Sequence, residues 1–153
     1  GEEGERLRAE GGEYGATTGR ARRCGWFDVV AARHAINVTG TDALVMTKLD
    51  ILDRLDTIRV CVGYEMDGER ITTFPAEASI LDRCTPIYED FPGWKTPTKG
   101  ARSRDDLPPL AKEYLNNLER LTGRPIWMIS TGPGREDTIE VKNPFTAIEE
   151  GQV

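Results

Sequence analysis

Histidine occurs once in this sequence of 153 residues, at His34, and cysteine three times, at Cys24, Cys61 and Cys84. A catalytic histidine needs a placed partner, and a lone His34 on a helical stretch shows none, so a surface or packing role is expected. The cysteines are odd in number, widely spaced and without the paired spacing of a zinc site, which makes free thiols the expectation. Long apolar runs are missing too: nothing approaches the roughly 18 apolar residues of a membrane-spanning helix. The opening Gly1-Glu2-Glu3-Gly4-Glu5-Arg6 is the reverse of a signal peptide, so the expected location is cytoplasmic, with no membrane partner. Positive charge is outnumbered, 20 Lys and Arg against 26 Asp and Glu, for a net charge of -6. That balance argues against nucleic acid as a partner and leaves any anionic ligand to a local basic cluster. The pattern GxxxxGK followed by Ser or Thr occurs nowhere, which excludes a conventional P-loop GTPase. Repeats and low-complexity linkers are absent, so the chain is one domain or part of one.

What is present alternates between helical and extended patterns and predicts an α/β fold: a mixed sheet with helices, long surface loops, and nucleotide loops at the C-terminal ends of strands. The first twenty residues are Gly-rich loop with a helical remnant at 5–10. Trp26, Phe27, Val30, Ala31 and Ala35 recur at helical spacing over 26–36, with Asp28 near the positive end of the helix dipole. A break at 37–42 precedes an apolar strand at 43–46 and a short helical stretch at 51–55. Residues 57–64 and 70–74 flank a turn at 66–69 and predict a hairpin; 86–91 is a further strand. Residues 92–109 hold four prolines and read as a long surface connection. Asp105 or Asp106 is expected to cap a helix with Leu110, Tyr114, Leu118 and Leu121 on one stripe, ending at Gly123. A buried strand at 125–129, a turn at 130–134 and a closing strand at 138–141 complete the order.

Three clusters carry chemistry. Thr47-Lys48-Leu49-Asp50 follows the 43–46 strand. A rigid Asp carboxylate at a strand end can accept both the ring NH and the exocyclic amine of guanine, a donor pair that adenine lacks, and the Lys stem can cover the purine face. Ser130-Thr131-Gly132-Pro133-Gly134 follows the second apolar strand in the same way, and open α/β sheets bind ligands at such strand ends. Ala16-Thr17-Thr18-Gly19-Arg20-Ala21-Arg22-Arg23 packs three arginines and two hydroxyls ahead of a helix, a composition suited to carboxylate or phosphate. Its plainer alternative is a solvated basic turn paired with nearby Glu residues.

Taken in order, Gly12-Glu13-Tyr14-Gly15-Ala16-Thr17-Thr18-Gly19-Arg20, Arg23-Cys24-Gly25-Trp26-Phe27-Asp28, Leu44 through Asp50, Phe91-Pro92-Gly93-Trp94 and Ile129-Ser130-Thr131-Gly132-Pro133 resemble the C-terminal part of the adenylosuccinate synthetases. That family joins L-aspartate to inosine monophosphate with GTP and magnesium, in purine nucleotide synthesis. The resemblance implies that residues 12–23 form an aspartate loop, in which Ala16, Thr17, Thr18, Gly19, Arg20, Ala21 and Arg22 meet aspartate and the nucleotide monophosphate. It implies that Arg22, Lys48, Leu49, Asp50, Ser130, Thr131 and Gly132 serve GTP, through guanine loops at 47–50 and 130–134.

It also implies that the chain is about the last third of the family's length. The phosphate loop, the catalytic acid and base and the Mg2+ ligands then lie outside it, leaving no catalytic or metal residue in this chain and no expected turnover by the chain alone. Its partners would be GTP, inosine monophosphate and aspartate, with either a homodimer or a separate N-terminal portion covering the remaining face. Three positions depart from the family's usual pattern: Ala21 for Pro, Arg54 for Gly and Trp127 for Asp. The first should loosen the arginine loop, and the other two put in doubt the packing beside the guanine loops. The rival expectations are an inert guanine-nucleotide-binding module and a structural fragment that binds nothing.

Overall fold

A computed structural model of the chain describes residues 2–143. It is an α/β structure with two separate mixed sheets in place of the single one expected. The elements run α1 (Glu2–Glu10), β1 (Phe27–Asp28), α2 (Val29–Thr39), β2 (Leu44–Met46), β3 (Thr57–Met66), β4 (Glu69–Ile71), α3 (Ala78–Leu81), β5 (Thr85–Pro92), α4 (Pro109–Thr122), β6 (Ile126–Ser130) and β7 (Thr138–Glu140), with 3-10 turns at Leu49–Leu52, Arg104–Asp106 and Arg135–Asp137. In the first sheet β3 pairs parallel with β1 and antiparallel with β4 and β5. In the second, β6 lies between a parallel β2 and an antiparallel β7.

Local chemistry explains where several boundaries differ from expectation. Trp26 and Phe27 are not on the helix. Asp28, extended at φ -109°, accepts the Ala31 amide at 3.0 Å and so caps a helix that starts at Val29. The second Asp28 oxygen takes the Tyr64 hydroxyl at 2.5 Å, fixing α2 against β3. The helix then runs into the expected break as far as Thr39 and stops at Gly40, whose left-handed φ of 66° suits glycine. Asp105 and Asp106 do not cap α4; Pro109 stands at its first turn, where its missing N–H costs nothing. Asp106 instead accepts from the Arg102 and Ser103 amides at 3.0 and 2.9 Å and closes the preceding 3-10 turn. The α4 stripe is rotated from the expected one: Ala111, Tyr114, Leu115 and Leu118 are buried, with Leu110 and Leu121 at its margins.

The connection 92–109 is no free surface loop. Trp94, Thr98 and Leu107 are buried in it. Asp53 accepts the Trp94 indole at 2.7 Å and the Thr98 amide and hydroxyl at 2.8 and 2.9 Å, so one carboxylate holds the segment against the turn after β2. Gly93 lies so close to Leu55 that a Cβ there would overlap the Leu55 carbonyl. Glu119 forks with Arg104 and also accepts the Ile126 amide at 2.7 Å, setting the start of β6 against α4. Burial alone would raise the Glu119 pKa, but these bonds outweigh it and hold the carboxyl below its ordinary value. The hairpin's return strand ends at Ile71, short of the expected 74, and α3 was not foreseen. His34 stacks on Phe74 at 5.1 Å, a packing role, and the three cysteines are free thiols. Among the described residues no helix is long and apolar enough to cross a membrane.

Candidate functional site

Because β2 and β6 are parallel neighbours, their C-terminal ends emerge side by side and the loops after them meet. The Lys48 amide donates to the Ser130 hydroxyl oxygen at 3.1 Å. Lys48 takes the left-handed conformation, φ 56° and ψ 43°, uncommon for a residue with a side chain. Its ammonium donates to the Gly11 carbonyl at 2.6 Å and pairs with Glu13. Lys48, Asp50, Ser130, Gly132 and Pro133 on one side, with Gly11 and Gly12 opposite, enclose a cleft of about 440 Å³.

Asp50 is the electrostatic centre of this cleft. Its Oδ1 is enclosed and has no hydrogen-bond partner among the described residues. Burial first, and the charges of Asp53 and Asp137 after it, push the Asp50 pKa above its ordinary value. A carboxylate in that condition is short of donors, and a ligand bringing two would relieve it. The second loop is built stiffly. Thr131 donates from its amide and hydroxyl to the Asp137 carbonyl at 2.9 and 3.2 Å, and the Asp137 carboxylate accepts the Gly134 amide at 3.0 Å. A Cβ on Gly132 would run into that carboxylate.

Not every expected site residue reaches the cleft. Leu49 and Thr131 have no exposed surface and sit in the core. Arg22 lines a second, largely apolar cleft of about 350 Å³ with Leu7, Trp26, Met46 and Tyr114. Ala16, Thr17, Thr18, Gly19, Arg20 and Ala21 are exposed and line neither. Their loop has its own order: Gly15 donates to the Arg20 carbonyl at 2.8 Å, the Arg20 amide to the Thr18 hydroxyl at 3.3 Å, and Tyr14 bridges Ala21. Arg22 is paired with Glu13 at 2.9 Å, as the plainer reading of the basic turn has it, whereas Arg20 and Arg23 form no ion pair among the described residues.

Glu13 was not foreseen as a site residue. The signal for it was an acid beside a basic loop, but only the fold brings Lys48 to its other oxygen. The family departures are accommodated: Arg54 is exposed, and Trp127 is half-buried with the Lys142 ammonium 4.9 Å over its ring. No group of three or more His, Cys, Asp or Glu among the described residues is placed to hold a metal ion.

The architecture thus defines an α/β domain with paired loops at the ends of two parallel strands, the arrangement of many nucleotide-binding proteins. The sequence model of one family, adenylosuccinate synthetase, matches residues 1–139. The chain is 50% identical over 144 residues to the adenylosuccinate synthetase of Trichlorobacter lovleyi, covering 94% of this chain and 34% of the relative. It is 54% identical over 142 residues to that of Aquifex aeolicus, covering 93% and 33%. The solved structure of a fully ligated adenylosuccinate synthetase from Plasmodium falciparum superposes with a TM-score of 0.88 at 36% identity, covering 93% of this chain and 34% of that one. The chain belongs to the adenylosuccinate synthetase family. It spans about a third of the length of these relatives.

Proposed function

We propose that this chain carries the guanine site and the aspartate and inosine monophosphate loop of an adenylosuccinate synthetase, and that it corresponds to the C-terminal portion of that enzyme. The C-terminal assignment rests on the order of the motifs. In this reading the whole enzyme ligates L-aspartate to inosine monophosphate at the expense of GTP, in purine nucleotide synthesis, and this chain supplies binding groups and no catalytic ones.

The observation that carries the reading is the enclosed Oδ1 of Asp50, without a donor at the wall of the Lys48 and Ser130 cleft. Guanine offers two adjacent donors to such a carboxylate, and adenine does not. The Lys48 stem covers one face of the ring, while Ser130 and Gly132 form its rim, Gly132 permitting close approach by its lack of a side chain. Arg20, exposed and without an ion partner among the described residues, is the group open to an aspartate carboxylate or a phosphate; Arg22 joins it on leaving Glu13. The backbone and hydroxyls of Ala16, Thr17, Thr18, Gly19 and Ala21 complete that loop.

The family's Mg2+ finds no matching donor set among the described residues. Asp50 lines the cleft but no group of three or more His, Cys, Asp or Glu among the described residues is placed around a metal, so no step is assigned to the metal within this chain.

The rival reading is a guanine-nucleotide-binding module without turnover, favoured by the lack of any phosphate-cradling glycine pattern in the sequence. Incubating the chain with GTP, inosine monophosphate, aspartate and magnesium separates the two. The proposal expects no adenylosuccinate from the chain alone and product once the remaining portion of a synthetase is added. Turnover at about 1 per second or faster by the chain alone would show that the catalytic groups have been misplaced. Binding without rescue would favour the module.

A further inference from the structure

Glu13 stands between the two loops to which the ligand sites are assigned. One of its oxygens takes the Lys48 ammonium and the other the Arg22 guanidinium, the latter at 2.9 Å. Lys48 lines both clefts, as do its neighbours Thr47 and Ile51, so it belongs to the partition between them. An unanchored lysine stem samples many rotamers. Here Glu13 and the Gly11 carbonyl fix its far end, while the Ser130 hydroxyl holds its backbone. The Lys48 hydrogen bond first, and that of Arg22 second, keep the Glu13 carboxyl below the usual carboxylate range, so it is charged at neutral pH.

We propose that Glu13 is a positioning residue that couples the two subsites: it holds Lys48 along the guanine cleft and surrenders Arg22 to an anionic ligand. This rests on the site assignment made above. The sign of the coupling follows from the charges. Without ligand, one carboxylate is shared by two cations. A carboxylate or phosphate ligand that draws Arg22 away leaves Glu13 to Lys48 alone, and the partition becomes firmer. Purine binding then improves when the anion is present, and by linkage anion binding improves by the same factor when the purine is present. All three side chains are partly exposed, so the coupling falls at or just below the small end of the range for such effects, about threefold to fivefold.

The test uses the full 153-residue chain, guanosine as a purine with no phosphate of its own, and L-aspartate as the anion, with affinities from ligand-observed NMR titrations. Saturating aspartate should tighten guanosine binding by about threefold to fivefold. Glu13→Gln should weaken guanosine binding and abolish the aspartate effect, and Glu13→Asp, which keeps the charge on a shorter stem, should restore part of it. A merely structural Glu13 would lower both affinities and leave the aspartate effect intact, which overturns the proposal. Binding of both ligands to the unaltered chain with no mutual effect overturns the coupling and leaves the site assignment standing. Failure of the unaltered chain to bind guanosine at all overturns both. Should Glu13→Gln fail to fold, the linkage in the unaltered chain and in Glu13→Asp decides the matter.

Discussion

The Lys48 amide and the Ser130 hydroxyl, 82 positions apart in sequence, are joined by a 3.1 Å hydrogen bond across the ends of two parallel strands. That bond ties together the two loops that line the candidate guanine cleft. Ser130→Ala removes the acceptor and should cost about 1 kcal/mol of stability. It should also loosen the loop, weakening guanosine binding, while Ser130→Thr, which keeps a hydroxyl, should retain most of it. Melting and guanosine titration of the two variants check this; identical behaviour of Ala and Thr would show that the bond does not shape the cleft.

Asp50 gives a pH prediction whose sign is fixed. Its folded pKa is raised above the ordinary 3.8 by burial, so in the window above that value the folded chain holds a proton that the unfolded chain has lost. Stability attributable to Asp50 therefore falls as pH rises through that window. Asp50→Asn, which cannot ionise, should melt higher than the unaltered chain at pH 7 without ligand, and the gap should close as the pH drops toward 4. Glu13 has the opposite sign. Its lowered pKa contributes stability above the ordinary 4.5 that is lost as pH falls below it. A lower melting point for Asp50→Asn at pH 7 would mean that the carboxylate is satisfied in the free chain.

Asp53 is predicted to matter chiefly for the fold. Its removal by Asp53→Ala leaves the Trp94 indole and the buried Thr98 without acceptors. The expected cost is about 2 to 4 kcal/mol, roughly 5 to 15 °C in melting temperature for a chain of this size. Gly93→Ala should be similarly damaging, because the added carbon overlaps the Leu55 carbonyl. Thermal melts decide, and wild-type stability in Asp53→Ala would show the 92–109 segment to be held by packing alone.

Arg20 is the converse. Its side chain is exposed and donates no hydrogen bond among the described residues. Arg20→Ala should leave the melting temperature within about 0.5 kcal/mol of the original while weakening aspartate or phosphate binding, an affinity that should also fall as salt rises. A large drop in melting temperature with unchanged affinity would make the arginine loop structural.

The second-sheet loops were legible because their logic is local: an apolar run followed by Thr47-Lys48-Leu49-Asp50 or by Ser130-Thr131-Gly132 says where a strand ends and what stands there. What was not legible is long-range. Nothing near Asp53 in sequence announces that it will receive Trp94 and Thr98, so the proline-rich segment read as surface. Leu49 and Thr131 share motifs with cleft residues, yet their backbone directions turn the side chains into the core. Apolar spacing placed Trp26 and Phe27 on a helix because periodicity does not see the cap that Asp28 makes at its own start. Glu13 was invisible for the same reason, since its partner Lys48 arrives only when α1 and the loop after β2 pack together.

The central claim is that Asp50 reads guanine, and the direct measurement is calorimetric titration of the chain with GTP and ATP before and after Asp50→Asn. The account predicts clear preference for GTP in the unaltered chain and a loss of about tenfold to hundredfold for GTP on substitution, the value of a charged two-point contact of about 1.5 to 3 kcal/mol. Xanthosine triphosphate, which carries an acceptor where guanine has its amine, should lose less or gain. Equal binding of GTP and ATP, or equal losses for GTP and xanthosine triphosphate, would contradict it.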